Sequence, residues 1–259
     1  GRCGYRGAAP PQKLMRAGGG AWVSALADTG DRLVGLAAGC LFSVLLVFSG
    51  YCLWDSATVA YGALVTPQLR RAKPEPGSPT LAELQAQNPD VCGWLTLDGT
   101  HIDYPVVQGA DDLEYVNKAA DGSFALSGAV FLSAANRADF SDAYNLLYGH
   151  HMENGAMFGD LTQFSESEYF ADHTAGTLYA EGASYELQVF ACVLTDAYDP
   201  VIYTPSTDPA ALAADIRAHA VQYRDPPADS RVAVYSTCDD SRTNGRVAVF
   251  AALKGGDTE

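Results

Sequence analysis

One uncharged apolar segment, residues 33–54, restricts most strongly what this chain can fold into. It comprises 22 residues, LVGLAAGCLFSVLLVFSGYCLW, without a single charged side chain. As an α-helix it would span about 33 Å, close to the hydrocarbon thickness of a bilayer. A cleaved signal peptide is the competing interpretation, but its apolar part is usually only about 7–15 residues long and ends at a small-residue cleavage site. GYCLWDSA is a poor site of that kind, and Trp54 suits an interfacial anchor. The sequence therefore predicts a retained transmembrane helix.

The distribution of charge predicts the orientation of this helix. The tail, residues 1–32, carries five Lys and Arg against two Asp, and the positive-inside tendency places such a tail in the cytoplasm. Residues 55–259 carry 11 Lys and Arg against 29 Asp and Glu, a net charge of −18. So acidic a part cannot neutralise phosphates, which excludes nucleic acid as a partner. We predict a single-pass membrane protein with a cytoplasmic N-terminus and an extracytoplasmic main domain.

The exported part divides into a connector, 55–80, and a compact domain, 81–259. The connector ends in KPEPGSP, whose three prolines prevent regular structure, and a short helix is predicted in TLAELQAQNPD. Eight short apolar segments separated by turn residues follow, and LDGT between the first two predicts a hairpin. They are CGWLTL, HIDYPVVQ, GAVFL, YNLLYG, GTLYAE, YELQVFACVLT, RVAVYSTC and RVAVFAAL. The domain is therefore mainly β, an antiparallel barrel or a sandwich, with helical insertions.

Two helical insertions interrupt the predicted strands. The first lies in MFGDLTQFSESEYFADH. The second begins with Asp208 and Pro209, and a helical face of apolar residues extends as far as Tyr223 before DPP ends it.

Three of the six cysteines, Cys92, Cys192 and Cys238, lie in the exported part. Cys92 and Cys192 sit within apolar segments, as a small buried hydrophobe does, and a disulfide between them is possible. Cys238 instead sits where an apolar segment ends, so it is a free thiol in an exposed compartment. That position favours a nucleophile over a structural cysteine.

Thiol chemistry needs a base, a donor for the developing oxyanion and a cleft. His150 follows the apolar segment YNLLYG directly, so it also lies at a strand end. Arg246 opens the last apolar segment, and a hairpin would return it to the end where Cys238 lies. A fixed guanidinium there would bind a substrate carbonyl or an oxyanion.

The motifs NLLYGHHMENGAMFGDL and YSTC, with an arginine eight residues after the cysteine, resemble those of the sortases, the cell-wall transpeptidases of Gram-positive bacteria. The opening NPDVCGWLTLDGTHIDYPVVQ and the helix before the cysteine strand are similar to class B. The resemblance covers roughly residues 81–254. It implies an eight-stranded sortase-type β-barrel preceded by an N-terminal helix and a transmembrane anchor.

By this resemblance His150, Cys238 and Arg246 take the catalytic positions of the family. Arg242 is a nearer alternative to Arg246, but only Arg246 heads the terminal strand. Asp240 matches an acidic position of some class B members and is left outside the catalytic set.

The activity implied by the resemblance is transpeptidation through a thioacyl-enzyme. Cys238 attacks the Thr carbonyl of a C-terminal sorting motif, and an amine then resolves the intermediate. The implied partners are surface proteins or pilins that carry sorting signals, and a peptidoglycan precursor or a lysine as amine acceptor.

Alternative functions remain open at this point. A cell-wall cysteine peptidase would hydrolyse rather than transfer, although the papain class has its cysteine before its histidine and at a helix start. A non-catalytic surface barrel would tolerate loss of Cys238. A zinc site would need more than His150 and His151, and neither His-x-x-x-His nor Cys-x-x-Cys accompanies them. No cofactor and no metal are predicted.

Overall fold

The computed structural model describes residues 20–75, 77, 79–205, 208–228, 230–239 and 243–255. The chain forms two compact units, Gly1–Ser56 and Ala57–Glu259. The longest element is helix α1, Gly20–Gly62, which contains the apolar segment 33–54. It is long and apolar enough to cross a membrane, and its apolar side chains are exposed. Its insertion and orientation stay predictions.

The second unit contains four short helices, two 3₁₀ helices and nine strands within the described residues. The helices are α2 (Pro67–Arg71), α3 (Ala82–Gln85), α4 (Ser167–Asp172) and α5 (Pro209–His219), and the 3₁₀ helices are Glu114–Val116 and Gly159–Ser165. The strands are β1 (Val91–Leu97), β2 (Asp103–Val107), β3 (Val130–Leu132), β4 (Tyr144–Tyr148), β5 (Ala175–Ala180), β6 (Ala183–Asp196), β7 (Ala220–Tyr223), β8 (Arg231–Cys238) and β9 (Gly245–Gly255).

Eight of these strands close into a barrel. They pair in the order β5-β1-β2-β3-β4-β8-β9-β6, and β6 pairs back to β5. The predicted eight-stranded barrel is confirmed, and each of the eight apolar segments supplies one strand. The pairs β2–β3 and β4–β8 are parallel, whereas the sequence predicted antiparallel pairing throughout. Long connections between these strands make the parallel arrangement possible, because a tight turn joins only antiparallel neighbours.

Alternating side chains fill the barrel interior. The main core cluster takes residues from all eight barrel strands, including Ala233 and Tyr235 of β8 and Val247 and Val249 of β9. Intervening residues of the same strands, such as Val234 and Ala248, belong to a second cluster on the outer face. This alternation is the period-two pattern of a strand with both faces in use.

Helices cover the outer face of the barrel on two sides. Leu212 and Ile216 of α5 pack in the second cluster, where α5 lies against β6 and β7. Leu69 of α2 and Leu84 of α3 pack in a third cluster with Trp94 of β1. Part of the predicted connector 55–80 therefore contributes to the compact unit.

Asp103 joins this N-terminal segment to the barrel. Its carboxylate accepts hydrogen bonds from Lys73 Nζ (2.6 Å), Trp94 Nε1 (2.8 Å) and Thr96 Oγ1 (2.9 Å). Burial acts to raise the pKa of this carboxyl, but the three hydrogen bonds outweigh it and hold the pKa below its ordinary value. The charged form of Asp103 thus stabilises the folded state above the pKa of an ordinary Asp, and this stabilisation is lost as the pH falls through the folded pKa.

The second helical insertion ends earlier than predicted. Asp208 caps α5 by accepting from Ala211 N (3.1 Å), as the start signal indicated. The helix stops at His219, and Ala220–Tyr223 form strand β7 on the free edge of β6. The prediction of helix as far as Tyr223 was wrong because pairing with the long strand β6 satisfies the backbone of these residues, a long-range contact that helical periodicity cannot reveal.

Cys92 and Cys192 are both free and buried, so the disulfide considered above is not formed. Burial raises the pKa of each thiol to about 12, which keeps both protonated and inert.

Removing the hydroxyl from two buried tyrosines is expected to change the stability of the protein in opposite directions. Tyr235 is fully buried and its hydroxyl has no hydrogen-bond partner among the described residues, whereas the Tyr144 hydroxyl donates to the Ile202 carbonyl (2.6 Å). Because an unpaired buried hydroxyl carries its desolvation cost without compensation, we expect Tyr235→Phe to stabilise the protein by about 1 kcal/mol and Tyr144→Phe to destabilise it by about as much. Thermal unfolding of the purified chain should show shifts of about 2–4 °C in opposite directions. Equal losses of stability in the two variants would contradict this assignment.

Candidate active site

Cys238 and Arg246 lie directly opposite one another on the outer face of the barrel. Strands β8 and β9 pair in antiparallel register with Cys238 beside Arg246 and Ser236 beside Ala248. The Cys238 side chain is exposed and its thiol is free. The predicted hairpin therefore brings the thiol and the guanidinium to the same end of the barrel.

His150 reaches the same end through the parallel pairing of β4 with β8. Tyr148 pairs with Ser236, and the next residues continue the contact, because Gly149 N donates to the Ser236 carbonyl (3.2 Å) and Thr237 Oγ1 donates to the Gly149 carbonyl (2.9 Å). His150 comes directly after Gly149, two residues beyond the end of β4, and Cys238 is the last residue of β8. The three residues predicted from the sequence thus come from three consecutive strands of the barrel, β4, β8 and β9.

The imidazole of His150 is fixed by a backbone carbonyl 34 residues away. Nε2 lies 2.8 Å from the Val116 carbonyl oxygen. A carbonyl only accepts, so Nε2 carries a proton in this arrangement. In the neutral ring Nδ1 is then the unprotonated nitrogen, and it is the atom that can take up a proton.

Gly128 allows this contact. Its φ is +61°, and a Cβ at this position would lie 2.6 Å from the Val116 oxygen and 3.1 Å from His150 Cδ2. Any larger residue would push against both partners of the hydrogen bond. Glycine also adopts this left-handed conformation without strain.

Two tyrosines and a serine surround the thiol and the guanidinium. Ser236 shares a strand face with Cys238, and its Oγ lies 2.8 Å from the Tyr203 hydroxyl. The ring of Tyr203 stacks on that of Tyr148, with centroids 6.3 Å apart. Tyr148 is partly exposed and belongs to this outer group.

Burial and nearby charges, including that of Arg246, shift the pKa values of both tyrosines. Burial raises the pKa of Tyr203 to about 12, while the Ser236 hydrogen bond and the Arg246 charge oppose the rise. Burial and the negative charge of Asp112 raise the pKa of Tyr148, and Arg246 again acts against them. Both phenols therefore stay protonated at neutral pH and keep a hydrogen to donate.

The loop that carries Tyr203 is anchored beside Arg246. Thr195 pairs with Arg246 across β6 and β9, and its Oγ1 donates to Asp199 Oδ2 (2.6 Å). Asp199 Oδ1 accepts from Val201 N (2.9 Å) and Ile202 N (3.1 Å). The carboxylate thus holds the loop in a turn that forms one wall of the site.

Within the part of the chain that the structure describes, the guanidinium of Arg246 makes one hydrogen bond and no ion pair. Arg246 Nη1 donates to the Gly245 carbonyl (2.9 Å), and no carboxylate of the described residues lies within ion-pair distance of the guanidinium. The amide of Asp239, next to Cys238, donates to the Gly245 carbonyl (2.8 Å) and is not free for an oxyanion. Asp240 and Arg242, weighed above as further site residues, lie outside the described residues.

The residues predicted from the sequence did not include Ser236, Tyr203 or Val116. The alternation of β8 indicates that Ser236 faces the same way as Cys238, so this residue could have been found. Tyr203 lies in a turn and Val116 ends a 3₁₀ helix, both far from Cys238 and His150 in the sequence, and no local signal marks them. Across the described ranges, no group of three or more His, Cys, Asp and Glu side chains is arranged to hold a metal ion.

The chain is similar to known sortases. No family model matches the chain. It is 28% identical over 180 residues to sortase B of Listeria monocytogenes, covering 67% of this chain and 73% of that protein. Among solved structures, a class B sortase of Streptococcus pyogenes involved in pilus biogenesis is 38% identical, with a TM-score of 0.63 and coverage of 67% of this chain and 97% of the other. The Staphylococcus aureus sortase B–substrate complex is 26% identical, with a TM-score of 0.62 and coverage of 68% and 84%.

The contact at Gly128 generates a prediction with a matched control. Gly122 lies in the same loop with φ +86°, but the nearest atom to its Cβ position is Lys118 Cε at 3.9 Å. Gly122→Ala therefore carries only the backbone strain, about 1–3 kcal/mol, whereas Gly128→Ala carries the same strain and also displaces Val116 from His150. We expect the reactivity of Cys238 toward iodoacetamide between pH 5 and 9 to change in Gly128→Ala and to match the wild type in Gly122→Ala. If the wild type and both variants gave the same profile, the contact between Val116 and His150 would not influence the reactivity of Cys238.

Proposed function

The chain belongs to the class B sortases, and from this premise we propose that it is a membrane-anchored cysteine transpeptidase. It cleaves a sorting motif of surface proteins after Thr and transfers the acyl group to an amine. The observation that carries the proposal is the meeting of Cys238, Arg246 and His150 at the ends of three consecutive barrel strands.

Cys238 is the proposed nucleophile. Its sulfur attacks the Thr carbonyl carbon, the C–N bond of the peptide breaks, and a thioester forms. His150 takes the thiol proton of Cys238 and passes it to the leaving amine. An incoming amine then attacks the thioester, a new amide forms, and Cys238 leaves as the thiol. No water is consumed, so the bond energy of the peptide is retained in the product.

His150 acts through Nδ1 in this proposal. The Val116 carbonyl holds the proton of Nε2, so only Nδ1 changes its protonation state during a cycle. A positioned imidazole of this kind contributes about 10²–10⁴-fold to proton transfer. It delivers a proton in the first half-reaction and removes one from the attacking amine in the second.

Arg246 binds the oxyanion or the substrate carbonyl. Its guanidinium is permanently charged and keeps donors available within the described site. Because the Asp239 amide is already used in the hairpin, the proposed stabilisation of the oxyanion depends mainly on Arg246.

The proposed substrates are surface proteins or pilins that carry sorting signals. The S. aureus relative forms a complex with substrate, and the S. pyogenes relative is involved in pilus biogenesis. The proposed acceptor is a peptidoglycan precursor or a pilin lysine. Segment 33–54 would anchor the enzyme with its N-terminus in the cytoplasm and its barrel outside the cell.

A ligation assay tests the proposal. The purified chain is incubated with LPxTG-like and NPxTx-like peptides and triglycine, and products are identified by mass spectrometry. We expect a Thr–triglycine product in the wild type, none in Cys238→Ala, and about 10²–10³-fold lower kcat/KM in Arg246→Ala. Arg246→Lys should restore little of this loss, because a lysine does not present the planar fork of donors.

Two outcomes would contradict the proposal. Cleavage without ligation at saturating amine would indicate a peptidase. Unchanged activity in Cys238→Ala, or no Cys238-dependent acyl-enzyme with any peptide, would indicate a barrel without this chemistry.

A further inference from the structure

A histidine–carboxylate contact involves the segment that follows His150. Asp160 is buried, with its side chain 4% exposed, and its Oδ2 accepts from the backbone amide of His101 (2.8 Å) and faces His101 Nδ1 (2.9 Å). Oδ1 accepts from Gln163 Nε2 (3.0 Å). His101 lies in the β1–β2 hairpin turn, 59 residues away in sequence. The carboxylate therefore joins this turn to the segment that follows His150.

Further contacts join the same two segments. Met157 N donates to the hydroxyl of Tyr104 at the start of β2 (2.9 Å). A Cβ on Gly155 would lie 2.5 Å from Asp160 Oδ1 and 2.9 Å from His101 Nδ1, so the backbone of Gly155 packs directly on the pair. The hairpin turn thus holds residues 155–160 from one side.

These residues are tied in turn to His150. The Phe158 amide donates to the His150 carbonyl (3.0 Å), and His151 pairs with Met157 in an isolated bridge. The ring of Phe158 lies against Gly149, where a Cβ would be 2.7 Å from the nearest ring atom. The segment from Gly149 to Asp160 is therefore a closed loop with His150 at one end and Asp160 at the other.

His150 needs such support because it lies two residues beyond the end of β4. The hydrogen bond to Val116 fixes one ring nitrogen, but it does not fix the backbone from which the ring projects. A displacement of about 1 Å at a reacting group costs on the order of 10²-fold in rate. A buried carboxylate with its oxygens hydrogen-bonded to two segments is suited to prevent that displacement.

We propose that Asp160 and His101 are positioning residues for His150. They fasten the histidine loop to the β1–β2 turn and thereby hold the imidazole in register with Cys238. The proposal rests on the proposed function in assigning a proton-transfer role to His150. Neither residue touches the reacting atoms, so both act through the loop.

The test uses the full chain in detergent and five variants. His101→Ala removes the side-chain contact and leaves the backbone hydrogen bond, and Asp160→Asn replaces an acceptor with a donor at the same volume. His101→Asn keeps an N–H donor near the Nδ1 position. His219→Ala is the matched control, because His219 Nδ1 lies 2.9 Å from Asp215 on α5, a histidine–carboxylate contact of equal length that does not involve the His150 loop. His150→Ala gives the profile without the histidine.

Two readouts separate positioning from folding and from substrate binding. The first is the rate of Cys238 alkylation by iodoacetamide against pH, quantified on the Cys238 peptide by mass spectrometry. We expect His101→Ala and Asp160→Asn to shift this profile toward that of His150→Ala, with His101→Asn and His219→Ala close to the wild type. The second is peptide ligation, in which kcat should fall about tenfold and KM should stay within about twofold.

A double variant, His101→Ala with His150→Ala, tests whether His101 acts through His150. If the pair acts only through His150, His101→Ala should change neither readout further in the His150→Ala background, since coupled residues are not additive.

Wild-type profiles in both His101→Ala and Asp160→Asn would overturn the proposal. So would a rise in KM alone, an equal effect of His219→Ala, or an undiminished effect in the absence of His150. Absence of ligation by the wild type would instead contradict the proposed function, and the alkylation profile would still test the positioning of His150.

Discussion

The parallel pairing of β4 with β8 is the contact on which the site depends. It aligns Tyr148 with Ser236, so His150, two residues beyond the end of β4, and Cys238, the last residue of β8, emerge at one end of the barrel. These strands are joined by more than 80 residues of chain, which must fold back before the pair can form. Arg246 comes to the thiol by a local hairpin, whereas the histidine comes by this distant pairing. Without the β4–β8 pairing the chain would hold a thiol and a guanidinium but no imidazole beside them.

Alternation along β8 separates the chemistry from the core. Tyr235 and Thr237 are buried, and Tyr235 belongs to the interior cluster, whereas Ser236 and Cys238 face the outer group that contains Tyr203 and Tyr148. The interior can therefore keep its packing while residues on the outer face change. Cys238 is the exposed last residue of a strand whose five preceding residues, 233–237, are all buried.

The strands and the hairpin part of the site could be predicted because their signals are local. Short apolar segments between turn residues marked all eight barrel strands, and the position of Cys238 and Arg246 at facing strand ends followed from a hairpin alone. The start of α5 was likewise set by Asp208, whose side chain caps the helix within three residues. The end of α5 could not be predicted in this way, because β7 forms by pairing with β6, which lies more than 20 residues earlier in the chain.

The remaining parts of the site depend on contacts that no local pattern encodes. The Val116 carbonyl that fixes the His150 tautomer lies 34 residues away, Tyr203 meets Ser236 across 33, and Asp160 meets His101 across 59. Every residue has a backbone carbonyl, so the sequence does not mark the one that contacts His150. Nor does the sequence distinguish a buried Asp from a solvated one. Residue type thus predicts which chemistry the chain can perform, while the atom that transfers the proton, Nδ1 or Nε2, is decided by a backbone group that only the folded loop brings to the ring.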